Sequence, residues 1–137
     1  MASVVYKDAY ISLSSNDLSA YAQSLELPMS VETLDDTAMG DDTRSNAAGL
    51  KTWTATINFH QSFVDNELDE ILYGLYNAGT AFTCEFRPTS ASVSAANPKY
   101  SGSGILSEYT PMTGSVGDLL VIPITIVAAG DLTRATS

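Results

Sequence analysis

A chain of 137 residues falls in the size range of one domain, and 45% hydrophobic against 16% charged residues is the composition of a folded protein. The formal net charge of -10 argues against a surface that holds nucleic acid through Lys and Arg. The simplest interpretation is that the acidic residues keep the protein soluble. An acidic surface is also one that DNA can pass without sticking. The single cysteine excludes an intrachain disulfide and a Cys-based zinc site.

The chain carries no pattern that targets it to a membrane. Its start lacks a basic segment followed by an apolar stretch and a cleavage site, so we expect no signal peptide. The longest apolar run, residues 119–129, is too short to span a bilayer and contains Pro123. We therefore expect synthesis in a cytoplasm and no membrane partner.

Two alternating stretches open the chain. Residues 5–13 alternate apolar and polar side chains, which predicts a half-buried strand, and residues 14–17 supply turn-forming side chains. Residues 24–32 alternate again, with Leu25, Leu27, Met29 and Val31 on one face. Pro28 has no N–H for a strand ladder, so this second strand is expected at a sheet edge or with a bulge.

Residues 35–50 have no consistent period and are rich in Asp and Gly, which predicts a long loop. A loop of that length in a compact domain is usually functional or disordered. Its aspartates could in principle offer oxygen ligands to calcium. Their spacing does not match a calcium-binding EF-hand loop, so we predict no metal site and favour a solvated acidic loop that faces a partner or a channel.

The clearest strand is residues 52–60, and a helix follows it. The strand places Trp53, Ile57 and Phe59 on one face, and the helical spacing of apolar residues predicts a helix over about 63–77. Ser62 is the expected N-cap and Gly79 the C-terminal stop. Across the whole chain we predict seven core residues: Trp53, Ile57, Phe59, Leu68, Leu72, Phe82 and Phe86.

The remaining chain reads as three more strands, at residues 80–87, 99–110 and 116–128. A loop separates the first two, and residues 130–137 are expected to form a short mobile C-terminal tail. The order of elements predicts a mainly β protein, an antiparallel β-sandwich or barrel with one α-helix, in a single domain over residues 1–137.

No catalytic, cofactor-binding or metal-binding motif occurs in the sequence. His60 is the sole histidine, so any histidine-based relay would have to be built around it. It lies on the polar side of its strand and is expected to face solvent or support the helix cap. Cys84 shares the strand parity of Phe82 and Phe86, which favours a buried, inert thiol. We predict no catalytic residues, no cofactor, and a protein that is not an enzyme.

Three stretches carry a resemblance to a known family. They are SNDLSAYAQSLEL (15–27), then ETLDDTAMGDDTR (32–44) followed by GLKTW (49–53), and last EFRPTS (85–90) with NPKYSG (97–102). Together they resemble the major tail tube proteins of bacteriophages with long flexible tails. The resemblance extends over nearly the whole chain, and none of its parts is a catalytic signature.

This resemblance implies a structural virion protein with a phage tail tube-like fold. Such subunits form rings, commonly hexameric, that stack into a hollow tube through which the genome passes during ejection. The implied partners are further copies of the chain, other tail proteins such as the tape measure and terminator, and DNA in transient non-specific passage. The implied location is the phage tail of a virion made in a host bacterial cytoplasm.

In the family a long loop contacts the neighbouring ring, and the loop at about 35–50 is the expected counterpart. Its candidate contact residues are Asp35, Asp36, Met39, Asp41, Asp42 and Arg44. Two alternatives remain at this point. One is another virion component, such as a tail terminator, a connector or a capsid decoration protein. The other is a β-sandwich module that binds sugar or metal.

Overall fold

The computed structural model describes residues 9–136. It contains one α-helix, α1 (Leu68–Ala78), and a short 3-10 turn at Ser19–Tyr21. The strands are β1 (Tyr10–Leu13), β2 (Asn16–Asp17), β3 (Ala22–Glu26), β4 (Met29–Asp35), β5 (Asn46–His60), β6 (Phe82–Arg87), β7 (Lys99–Tyr109), β8 (Val121–Ala128) and β9 (Thr133–Ala135).

All strand pairs are antiparallel, and the main order across the sheet is β2-β1-β6-β7-β8-β5-β3. Strand β5 is 15 residues long and pairs with two other strands along one of its edges. Its second half pairs with β3, and its first half pairs with β4. At the far end of β7, β9 continues the line of β8 and pairs with residues 99–101. The predicted mainly β fold with one helix is confirmed.

The core is formed by the apolar faces of β1, β5, β6, β7 and β8 together with Leu68 and Leu72 of the helix. In β5 the side chains of Ile57 and Phe59 are fully buried, and the β8 residues opposite them, Ile122 and Ile124, are buried as well. The seven residues predicted for the core, Trp53, Ile57, Phe59, Leu68, Leu72, Phe82 and Phe86, are all buried. Burial of this apolar surface is the main source of the fold's stability.

Helix α1 starts later than the predicted 63–77. Asn66 adopts a left-handed backbone with φ 64, which no residue inside a helix can have, so the helix begins after it. Ser62, the expected N-cap, instead donates its hydroxyl hydrogen to the Glu67 carboxylate. The predicted stop holds, because Gly79 is left-handed and its N–H donates to the Leu75 carbonyl.

Hydrogen bonds attach the start of the helix to the sheet. The Tyr109 hydroxyl donates to the Asp69 carboxylate at 2.5 Å, and the Gln61 amide donates to the same hydroxyl at 3.0 Å. Burial, with the adjacent Asp69 carboxylate, raises the pKa of Tyr109 to about 12. The first turn of the helix is therefore fixed to the end of β7 by a neutral phenol.

Several predicted boundaries are wrong, each for a local reason. The long loop is confined to residues 36–45, because residues 46–50 pair with β4 as the first part of β5. The C-terminal segment is not a free tail, since Thr133–Ala135 pairs with β7. The strand predicted at 116–128 begins only at Val121. Residues 5–8 of the first predicted strand lie outside the described residues.

The expected irregularity at Pro28 is present. The stretch predicted as one strand is divided into β3 and β4, and the Pro28 carbonyl accepts a hydrogen bond from the Thr54 N–H at 3.2 Å. Both parts pair only with β5 among the described strands, as a proline-containing edge strand should. Within residues 9–136, α1 lacks the length and apolar character needed to cross a membrane.

Candidate assembly surface

The hairpin formed by β4 and the first half of β5 projects from the packed part of the molecule; we call it the arm. All seven residues of β4 are exposed, and no residue from Asn46 to Thr52 is buried. A two-stranded hairpin open to solvent on both faces is at best marginally stable by itself. The arm is therefore built like an element that gains its packing from another molecule.

The arm exposes large apolar side chains on both faces and at its tip. Their exposure is far above that of a core residue, reaching 80% for Leu50 and full exposure for Met39. The exposed apolar residues of the arm are Met29, Val31, Leu34, Met39 and Leu50. Scattered apolar residues are normal on a protein surface, but a concentration of them on one projecting element indicates a contact surface.

A bulge shapes the middle of the arm. Val31 pairs with Lys51 and Thr33 with Ala48, so β5 has one more residue than β4 between these pairs. A Cβ added to Gly49 would lie 3.3 Å from Glu32 atoms, including its carbonyl oxygen. Glycine at this position therefore lets the two backbones approach closely where the bulge bends the arm.

The tip of the arm, residues 35–45, is ordered by short-range polar bonds. The Thr37 N–H donates to the Asp35 carboxylate at 3.0 Å, and Arg44 pairs with the same carboxylate at 2.9 Å. These bonds hold the pKa of Asp35 below its usual range, the Thr37 hydrogen bonds contributing most. The Asp41 carboxylate accepts a hydrogen bond from the Ala38 N–H at 2.7 Å. The tip is thus a shaped knob and not a loose loop.

All six predicted loop residues lie in this tip. Asp35 is the last residue of β4, and the other five follow it before β5 begins. Asp35, Asp41 and Arg44 maintain the tip's own structure, as described above. Within the described part of the chain, the carboxylates of Asp36 and Asp42 have no hydrogen bond or ion pair. Contact with another subunit remains a prediction for all six.

Sequence reasoning missed the apolar residues of the arm. Met29 and Val31 are predicted only to share one apolar face of the strand at residues 24–32, and Leu50 is predicted in a loop. All three are exposed. The signal available in the sequence was the alternation itself, which marks an apolar face without showing whether that face meets the chain's own core or another molecule.

An apolar groove of about 310 Å³ lies at the base of the arm. The residues that line it are apolar or aromatic except for one cation: Leu25, Leu27, Met29, Phe86, Pro88, Tyr100 and Arg87. Leu25 and Leu27 are half-buried, while Met29 is largely exposed. Binding pockets for small ligands usually occupy about 300–1,000 Å³, so this groove is at the lower end of that range.

Open strand edges complete the candidate surface. Among the described strands, β3 and β4 pair only with β5, and β2 pairs only with β1. Each therefore leaves one row of backbone N–H and C=O groups without a strand partner in the described chain. Unprotected edges of this kind pair readily with other chains, which proteins either prevent or use for assembly.

Acidic, histidine and cysteine side chains are the groups that could hold a metal ion or react with a substrate. No group of three or more His, Cys, Asp or Glu side chains within residues 9–136 could hold a metal ion. Cys84 is a buried free thiol, and its burial raises its pKa to about 12, which keeps it protonated and unreactive. His60, predicted to face solvent or support the helix cap, is half-buried, and its Nδ1 has no hydrogen-bond partner in the described part of the chain.

Comparison with known proteins gives matches only at the level of structure. No family model matches the chain, and no curated protein matches it. A chain from the virion of a native gene transfer agent particle has a TM-score of 0.77 at 15% identity, with 97% of this chain and 99% of that chain covered.

Two further solved structures give similar values. A chain from the tail of an empty gene transfer agent particle with C6 symmetry has a TM-score of 0.75 at 18% identity, covering 98% of this chain and 100% of that chain. The SPP1 tail tube chain has a TM-score of 0.78 at 10% identity, covering 98% and 80%. At these identities the similarity establishes the fold, and the predicted tail tube-like fold is confirmed.

Proposed function

We propose that this chain is a major tail tube subunit, a structural virion protein that stacks as rings into a hollow tube for passage of the genome during ejection. The main observation in support of this proposal is that the arm exposes both of its faces and an ordered tip. The tail tube-like fold over 97–98% of the chain supports it. The proposed location is the tail of a phage virion assembled in a bacterial cytoplasm.

Self-association follows from the open edges. A ring of identical subunits can pair one subunit's edge strand with the next, and closure then leaves no edge exposed. We propose a hexameric ring, because a chain of the same fold comes from a tail with C6 symmetry. The further partners proposed are other tail proteins, such as the tape measure and the terminator.

The charge of the chain suits a passive channel. With a net charge of -10, a tube of many copies carries a high negative charge that repels DNA phosphates and opposes adhesion. The proposed role involves no turnover, and we propose that the chain is not an enzyme. The buried free thiol of Cys84, whose pKa is raised by burial, supports a role without turnover.

Electron microscopy of the purified chain across a concentration series tests the proposal. A tube subunit should polymerise above a critical concentration into hollow filaments of constant diameter with an axial ring repeat. Single rings that do not grow would instead support a tail terminator or a connector. A chain that stays monomeric at the highest concentration reached would contradict the proposed function.

A further inference from the structure

The groove and the tip of the arm have complementary chemistry. The groove is lined mainly by apolar side chains, its one cation Arg87 being paired with Glu85, and the tip presents Met39, a flexible apolar side chain that is fully exposed. Methionine adapts its shape to irregular apolar gaps, which makes it effective at contact surfaces. Within one copy of the chain, the Met39 side chain at the ordered tip is uncovered, and so is the groove.

The charges beside the two features are also complementary. Arg134 lies opposite Tyr100 in the β7–β9 pair, so its side chain leaves the same face of the sheet as this groove residue. Within the described part of the chain Arg134 is exposed and has no ion pair. The Asp42 carboxylate beside Met39 is likewise exposed and unpaired. One copy thus holds an unpaired cation opposite the groove residue Tyr100 and an unpaired anion at the tip.

The tip cannot reach the groove of its own chain. Met29 lines the groove, and the last residue of β4, Asp35, is six positions further along an extended strand. At a rise of about 3.3 Å per residue the tip lies ~20 Å from the groove. If Met39 and Asp42 occupy the groove, they must therefore belong to a second copy.

We infer that the tip of one copy docks in the groove of the next copy, with Met39 entering the groove and Asp42 pairing with Arg134. This rests on the proposed function, since it names the surface that receives the arm in a stack of subunits. The contact joins two different surfaces, so each copy offers one free tip and one free groove. A contact of this kind propagates into a ring or a filament and does not stop at a dimer.

Substitutions at exposed positions test the docking in the full-length chain without threatening the fold. Met39→Glu places a charge in the apolar groove and should raise the critical concentration for assembly at least about tenfold, while Met39→Leu should leave it within about twofold. Light scattering gives the critical concentration, and circular dichroism checks that each variant is folded.

Charge reversal tests the ion pair. Asp42→Arg and Arg134→Asp should each raise the critical concentration about threefold or more at low salt, because each places like charges together. The double variant Asp42→Arg/Arg134→Asp restores an opposite pair and should return close to the original value. Asp65→Arg, the same charge change at an exposed position beside α1, serves as the matched control.

A disulfide provides direct proof of proximity. In the variant Met39→Cys/Met29→Cys, oxidation should give a ladder of covalent multimers, because a disulfide needs Cα atoms within about 7 Å and the two positions of one chain are too far apart. Met39→Cys/Met112→Cys, which moves the second thiol to another exposed methionine, should give no ladder.

The outcomes separate the docking from the proposed function. If the unaltered chain polymerises but Met39→Glu assembles equally well, or if the double charge reversal is no better than either single reversal, the docking is overturned and the tube function stands. If oxidation of Met39→Cys/Met29→Cys gives no covalent ladder, or if Met39→Cys/Met112→Cys gives the same ladder, the docking is likewise wrong. A chain that never assembles overturns both.

Discussion

The two halves of β5 show how one strand can serve two different environments. From Thr54 to His60 every second side chain is buried against β8 and the helix, whereas from Asn46 to Thr52 none is buried. Backbone pairing is present in both halves. The halves differ in what covers their faces, so pairing alone does not identify a core. The second half stabilises the fold, and the first half leaves both of its faces uncovered.

The largest expected effect on stability lies in the packed half. Phe59→Ala removes a fully buried side chain and should lower the free energy of unfolding by about 3–5 kcal/mol. Leu50→Ala, in the arm, should change it by less than about 0.5 kcal/mol in the unassembled chain. Urea denaturation below the assembly concentration measures both. Equal losses for the two variants would contradict the division of β5 into a core half and an arm half.

A glycine in the packed body offers a second contrast. A Cβ at Gly104 would lie 2.5 Å from Ile126 and 3.1 Å from Trp53, so Gly104→Ala should cost about 1–3 kcal/mol. Gly74 lies on the exposed face of α1 with nothing within 4 Å of an added Cβ. Gly74→Ala should therefore stabilise the chain by about 0.5–1 kcal/mol. A stable Gly104→Ala variant would show that the body is packed less tightly than described.

The phenol that fixes the helix to the sheet predicts a dependence on pH. The pKa of Tyr109 is raised from 10.0 to about 12 in the folded chain, so folding favours the neutral phenol. This contribution is fully present below about pH 10, the pKa of an unfolded tyrosine, and is lost as pH rises towards 12. Tyr109→Phe should cost about 1 kcal/mol near neutral pH.

Unfolding of the original chain and of the variant Tyr109→Phe, compared from pH 8 to 12, measures this effect. The difference in unfolding free energy between the original chain and Tyr109→Phe should be constant below pH 10 and shrink above it. A difference that grows with pH would contradict a raised pKa of Tyr109 in the folded chain.

The smallest expected effect on stability lies in the tip. Arg44 and Asp35 form an ion pair at 2.9 Å, but their side chains are 78% and 49% exposed. Exposed pairs contribute little, so Arg44→Ala should lower the free energy of unfolding by less than about 0.5 kcal/mol. If the tip acts only in assembly, the same variant should affect the critical concentration more than the stability. Thermal unfolding of the unassembled chain gives the first quantity.

The sequence predicted the packed body better than the arm. The alternation at residues 52–60 and the helical spacing after it identified the core, because both faces of that packing lie within the chain. The arm could not be predicted in the same way. Ala47, Ala48 and Gly49 have weak strand propensity, and only pairing with β4 makes them a strand.

The start of the helix was missed for a different reason. Ser62 is a good capping residue by type, but the backbone turn at Asn66 is set by how the segment meets the sheet, which a local pattern does not contain. The six tip residues were assigned to one interaction loop from composition and resemblance. Hydrogen bonds divide them into residues that shape the tip and residues that remain free, and the sequence does not show those bonds.

Hydrogen exchange of the backbone amides, compared between unassembled and assembled chain, tests most directly whether the arm is completed by another copy. The amides of β4 and of residues 46–52 should exchange rapidly in the unassembled chain and become strongly protected on assembly, while those of residues 54–60 stay protected in both states. Equal exchange of the arm in the two states would contradict the account, because no second copy would then cover it.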